Sequence, residues 1–218
     1  MTAVVAPPKP RLRGWLHLVT TPLALVGGLV LTARGTTYPN RLAVAVFTAT
    51  ACLMFGTSAV YHLGAWPRRV VAILRRLDLA NIALIIAGTY TPIAIAILPR
   101  NQGTVLLWIV WAAAIMIVVS SVGGSALNVT APRWLYTGMY ILLGWAAIFW
   151  FPSLWHYGGV INFFLILLGG VLYTAGGVVY ALKRPALSPT TFGFHELFHA
   201  FTVAAFICHF TVVARVAC

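Results

Sequence analysis

Acidic residues are nearly absent from this sequence. Its 218 residues include two, Asp78 and Glu196, against 14 Lys and Arg, for a formal net charge of +12. Charged side chains of both signs make up 7% of the chain, where a soluble domain carries about 25%. That deficit excludes an ordinary soluble surface. With 61% of the residues hydrophobic and a mean hydropathy of +0.97, a globule of this size has too little interior to hide its apolar side chains. Cysteine is scarce too. Cys52, Cys208 and Cys218 have no paired spacing, which argues against a disulfide framework and a CxxC metal knuckle; they read as small apolar fillers.

What the chain has in abundance is long apolar runs. Seven are present, at approximately 15–33, 42–62, 79–98, 104–122, 133–151, 158–182 and 192–216. Each is near the ~20 residues that a helix needs to cross a bilayer. Turn-formers or charges separate them: Tyr38-Pro39-Asn40, Pro99-Arg100-Asn101, Ala131-Pro132-Arg133 and Lys183-Arg184-Pro185. The first run is too long for the apolar core of a signal peptide, and Leu31-Thr32-Ala33-Arg34 is a poor cleavage site, so it reads as a retained helix. The expected architecture is an all-α membrane protein. A single seven-transmembrane-helix bundle fills 14–218, and a short basic, Pro-rich cytoplasmic arm at 1–13 is expected to be disordered.

Basic residues set the orientation, because Lys and Arg collect in cytoplasmic loops. With the N-terminus inside, ten face the cytoplasm (Lys9, Arg11, Arg13, Arg68, Arg69, Arg75, Arg76, Arg133, Lys183 and Arg184) and four lie opposite (Arg34, Arg41, Arg100 and Arg215). The N-terminus is therefore expected in the cytoplasm and the C-terminus outside, in a plasma membrane of bacterial type. Membrane topology explains the basic balance more simply than nucleic acid does, so no nucleic-acid partner is expected. Residues 66–76 mix apolar and Arg positions at roughly helical spacing and are expected to lie on the inner membrane surface.

Polar residues at membrane depth carry the functional signal, because burying them without a purpose is costly. The sharpest pattern is His195-Glu196-Leu197-Phe198-His199. Residues four apart share a helix face, so the two imidazoles can meet one zinc ion, as in H-E-x-x-H; a pair of packing histidines is the bland alternative. Ser58 and His62 are also four apart. With helices alternating in direction, the end of helix two (Ser58, His62), the start of helix three (Asp78) and the start of helix seven (His195, His199) fall at one membrane level, near the cytoplasmic face. Three imidazoles can hold zinc and leave a fourth position open, although all-nitrogen ligation admits other transition metals. Asp78 either holds or deprotonates a water there or binds the metal directly, and Ser58 positions the water. Glu196 competes with Asp78 for the role of base, or pairs with a cytoplasmic arginine. His209 is about 15 Å further along its helix and reads as a buried, hydrogen-bonded histidine. His17 is placed near the site as a supporting residue, and His156 in an outer loop.

These motifs resemble the haemolysin III family, which groups with the progestin and adipoQ receptors and, more distantly, the alkaline ceramidases. Ser58-Ala59-Val60-Tyr61-His62, then Asp78 followed by Ala87-Gly88-Thr89-Tyr90-Thr91-Pro92, then His195 to His199 followed by Cys208-His209-Phe210 carry the resemblance across nearly the whole chain. It implies a seven-helix bundle with zinc near the cytoplasmic side on His62, His195 and His199, with Asp78 and Ser58 beside it. It departs at the first helix. Family members often carry an acidic, Asn-containing lead-in to a Thr-His or Ser-His pair, where this chain has Arg13-Gly14-Trp15-Leu16-His17. By analogy the expected activity is zinc-dependent hydrolysis of a lipid amide or ester bond, with membrane lipids as partners and a role in lipid homeostasis. A sensor or regulator with structural zinc is the main alternative. An intramembrane metalloprotease lacks a suitable distal acid, and a pore lacks a helix with a long polar stripe.

Overall fold

The computed structural model describes residues 10–123, 133–185, 187–188 and 190–218. Helix dominates them, and no strand occurs among the described residues. In chain order the elements are α1 (Trp15–Arg34), α2 (Tyr38–Leu63), α3 (Arg68–Ile97), α4 (Arg100–Gly123), α5 (Arg133–Gly144), a 3-10 segment (Ala146–Trp150), α6 (Phe151–Gly158), α7 (Val160–Leu182) and α8 (Phe194–Val216). The 3-10 segment joins α5 and α6 into one apolar stretch, Trp134–Gly158. The chain is thus an all-α membrane bundle of seven helical passes. Six passes are long and apolar enough by themselves to cross a membrane. The remaining one, α3, begins with Arg68, Arg69, Arg75, Arg76 and Asp78 before turning apolar.

α3 is the hub of the bundle. It packs against α2, α4, α5 and α8, and in its apolar half Ile95 alone is exposed. Small residues let the backbones approach: Ala51 on α2 and Ala83 and Ala87 on α3 are fully buried. Close approach of this kind drives helix association where lipid is as apolar as the side chains. The outer face shows Leu23, Trp108, Met116 and Leu142, as a lipid solvent requires. Threonines within the bundle donate back to carbonyls one turn earlier: Thr20 to Leu16, Thr48 to Val44, Thr89 to Ile85, Thr91 to Ala87 and Thr202 to Phe198. No hydroxyl of that set is left bare in hydrocarbon.

The structure departs from the sequence expectation in several places. The fifth pass is not the continuous helix expected over 133–151. It breaks after Gly144, and Tyr90 of α3 secures the break: its hydroxyl donates to the Gly144 carbonyl at 2.6 Å and accepts from the Ala147 N–H at 3.2 Å. Trp145 adds a bond from its indole N–H to Thr174 of α7 at 2.9 Å. His156 accordingly lies exposed on α6 rather than in a loop. The third helix begins earlier than the expected 79, because α3 starts at Arg68 and runs unbroken to Ile97. Tyr38-Pro39-Asn40 is the first turn of α2, capped by the Thr37 hydroxyl accepting from the Asn40 N–H. Ala131 and Pro132 lie outside the described residues.

Of the N-terminal arm, residues 10–13 are described, and they are tied down. The Arg11 N–H donates to the Thr190 carbonyl at 3.0 Å and the Leu12 N–H to the Thr191 carbonyl at 3.3 Å, next to the loop that leads into α8. At the opposite end of the bundle the Thr36 N–H donates to the Ala217 carbonyl at 3.2 Å. Both ends of α1 are therefore bonded to the flanks of α8.

Candidate metal centre

Three helix ends build the site. Ser58 and His62 occupy the last two turns of α2, Asp78 the charged N-terminal part of α3, and His195 and His199 the first two turns of α8. Helix periodicity does the local work. Residues four apart on α8 present both imidazoles on one side, and the same spacing on α2 stacks Ser58 beneath His62.

The three imidazoles converge. One nitrogen from each of His62, His195 and His199 lies within 4.8 Å of the other two, and Nε2 of His195 is 3.0 Å from Nε2 of His62. A tetrahedral zinc ion at ~2.0–2.1 Å from each nitrogen sets ligand nitrogens about 3.3 Å apart, so the donor set and its spacing fit such an ion. His62 and His199 are 6% and 2% exposed, and His195 is half-buried beside Tyr180, with ring centroids 5.7 Å apart. Asp78 stands beside this cluster and outside it. Its Oδ2 is 3.8 Å from His62 Nε2, and the Ser58 hydroxyl lies close to its carboxylate. Ser58 is thereby aimed at Asp78.

Beneath the cluster lies a buried aromatic floor. Phe55 and Phe206 meet edge to face at 5.0 Å, and Phe47 stacks on Phe206 at 5.4 Å. His17 on α1 fills the gap between this floor and the three imidazoles. Its ring lies parallel to that of His199, with centroids 3.7 Å apart and planes 12° apart, and meets Phe55 edge-on at 5.1 Å. It is 2% exposed. Imidazole stacking of this kind holds the His199 ring in its rotamer.

The second acid does something different. Glu196 is 1% exposed. One carboxylate oxygen accepts from the Arg13 guanidinium, and the other accepts from the Gly193 N–H at 2.8 Å. The carboxylate therefore caps α8 and anchors the arm that precedes α1. Of the two roles open to it in the sequence, the pairing with an arginine is the one observed. Gly14, next to Arg13, makes this approach feasible. Its φ is +87°, and a Cβ there would lie 2.8 Å from His62 Cβ; only glycine accepts both the left-handed backbone and the contact.

A cavity of about 180 Å³ opens from the site into the bundle. Asp78, His195 and Arg75 line its near end, and it runs between α3, α5, α7 and α8 through Ile82, Ile86 and Thr202 toward Tyr173 and His209. This cavity was not legible in the sequence, because its walls are shared among helices far apart in the chain. Arg13 and Gly14 were likewise missed as site residues: the signal for Arg13 was the unpaired Glu196 in so acid-poor a chain.

Comparison with known proteins agrees with the motif reading. The family model described as Haemolysin-III related matches residues 5–210. A protein named "Hemolysin-3 homolog" from Bacillus subtilis (strain 168) is 28% identical over 192 residues, covering 85% of this chain and 84% of its own length. A "Hemolysin-3" from Bacillus cereus is 28% identical over 193 residues, covering 86% and 82%.

Proposed function

The chain belongs to the haemolysin-III-related family, and from that premise we propose that it is a zinc-dependent hydrolase acting on an amide or ester bond of a membrane lipid. The observation that carries the reading is the union of two features. A cluster of three imidazole nitrogens stands beside a carboxylate, and Asp78, His195 and Arg75 form the polar mouth of a largely apolar cavity. Such a cavity takes up an acyl chain directly from the bilayer and places the bond that follows it at the polar mouth.

His62, His195 and His199 would hold the ion. Bound there, zinc supplies Lewis acidity toward a carbonyl and makes water acidic near neutral pH. The remaining tasks fall to the chain. Asp78 accepts the proton of the attacking water and returns it to the leaving amine or alcohol as the bond breaks. Ser58 donates to one carboxylate oxygen and so directs the other toward the site. The Phe47, Phe55 and Phe206 floor keeps bulk water from below, and His17 fixes the orientation of His199. With the N-terminus in the cytoplasm, as the distribution of Lys and Arg favours, the site lies near the cytoplasmic face of a plasma membrane. The protein thereby takes part in lipid homeostasis. A protease of the H-E-x-x-H type is disfavoured, because both oxygens of Glu196 are engaged away from the imidazoles.

The test begins with metal analysis by mass spectrometry of detergent-purified protein. About one zinc per wild-type chain, absent from His62→Ala/His199→Ala, is expected, together with fatty acid release from labelled lipid by the wild type alone. Release undiminished in the double variant refutes the hydrolase. Stoichiometric zinc with no turnover of any lipid amide or ester would instead identify a membrane regulator in which the ion ties α2 to α8.

A further inference from the structure

The far end of the cavity carries polar atoms for which the proposed chemistry has no use. His209 lies ten residues beyond His199 on α8, about 15 Å along the axis. That is comparable to one leaflet of a hydrocarbon core ~30 Å thick. His209 is 8% exposed, and its Nε2 is 3.3 Å from the Ile166 carbonyl oxygen of α7. A carbonyl only accepts, so Nε2 carries the hydrogen and Nδ1 is left as a bare acceptor. That Nδ1 is buried and has no hydrogen-bond partner. The Tyr173 ring packs 5.7 Å from the His209 ring, and its hydroxyl is also buried without a partner. Both side chains line the cavity. The imidazole reaches this position because Gly169 gives it room: a Cβ there would lie 2.3 Å from His209 Nε2.

An unpartnered acceptor and an unpartnered hydroxyl, on neighbouring rings that line one largely apolar cavity, specify a ligand group. A charged group is excluded by the cost of burying it at membrane depth. A ketone or ether accepts from Tyr173 and leaves His209 Nδ1 bare. A hydroxyl satisfies both, donating to Nδ1 and accepting from the tyrosine. We propose that His209 and Tyr173 form a second polar subsite, which binds the hydroxyl of a hydroxylated lipid chain whose other end lies at the His62–His195–His199 cluster. This names a substrate class for the site and rests on the reading that the cavity holds an acyl chain. It does not depend on turnover. A water molecule presents the same chemistry as the chain hydroxyl, so the test separates the two.

The experiment is equilibrium displacement of radiolabelled stearate from the purified full-length protein in detergent. The competitors are stearate and a hydroxystearate with its hydroxyl in mid-chain. Two added hydrogen bonds make the hydroxystearate about tenfold tighter on wild type. Tyr173→Phe, which removes one oxygen and little volume, brings the two acids to within about threefold and leaves stearate unchanged. Equal binding of both acids to wild type overturns the proposal and assigns the polar pair to water. Failure of either acid to bind also overturns it, because then no chain occupies the cavity. A tenfold preference in a protein that hydrolyses no lipid sustains the subsite while refuting the hydrolase.

Discussion

Removing Arg13 isolates the clearest structural claim about the two acids. Glu196 is 1% exposed and the Arg13 side chain 19%. In Arg13→Ala the carboxylate stays buried, with the Gly193 N–H as its remaining donor. Breaking a fully buried pair from one side costs about 3–5 kcal/mol. Arg13 sits at the edge, where water can follow, so the expected loss is about 2–3 kcal/mol. Glu196→Gln keeps an oxygen for the helix cap but turns an amide toward the guanidinium, and its expected loss is about 1–2 kcal/mol. The double variant Arg13→Ala/Glu196→Gln is expected to lose less than the sum of the two singles, since each single leaves a partner stranded. Unfolding in mixed micelles by increasing fractions of SDS, followed by tryptophan fluorescence, measures all three. Zinc content is expected to survive in Glu196→Gln. The reasoning is refuted if Arg13→Ala is as stable as wild type. It is equally refuted if Glu196→Gln loses activity at unchanged stability and zinc content, since Glu196 would then be acting at the metal.

Gly14→Ala is expected to lower zinc affinity about tenfold in a chelator competition, because the new methyl displaces His62 and supporting contacts around metal ligands carry effects of that order; unchanged affinity would show that His62 has slack. Tyr90→Phe removes both bonds that secure the break in the fifth pass, and about 1–3 kcal/mol of stability should go with them in the same SDS titration. His17→Phe is expected to keep zinc affinity near wild type by preserving the stack on His199, while His17→Ala reduces it about tenfold; equal losses in both would show that an imidazole nitrogen is needed.

The seven passes were legible because lipid imposes one rule, a long apolar run per crossing, and the chain obeys it in six places without interference. The His62, His195 and His199 cluster was legible for a related reason. Helix spacing and alternating direction are enough to bring i and i+4 residues from helix ends to one depth. The break after Gly144 was hidden, since what secures it is Tyr90, 54 residues earlier. Glu196 inside H-E-x-x-H suggested catalysis, and its actual engagement depends on an arginine 183 positions away. The stacking of His17 on His199 was equally invisible to local pattern, and so was a cavity that no single helix lines.

The tie between the arm and α8 has a consequence for biosynthesis. Membrane helices enter the bilayer in the order in which the ribosome makes them. Arg13 is synthesised 183 residues before its partner Glu196. His62 waits 133 residues for His195. Until α8 is made, the arginine lacks the Glu196 carboxylate, α1 lacks the helix that holds both its ends, and His62 is the one imidazole of the cluster in place. An ion held by His62, His195 and His199 would therefore not be captured during early insertion. The three-imidazole cluster is completed when α8 is made, and α8 fastens α1 in the same event.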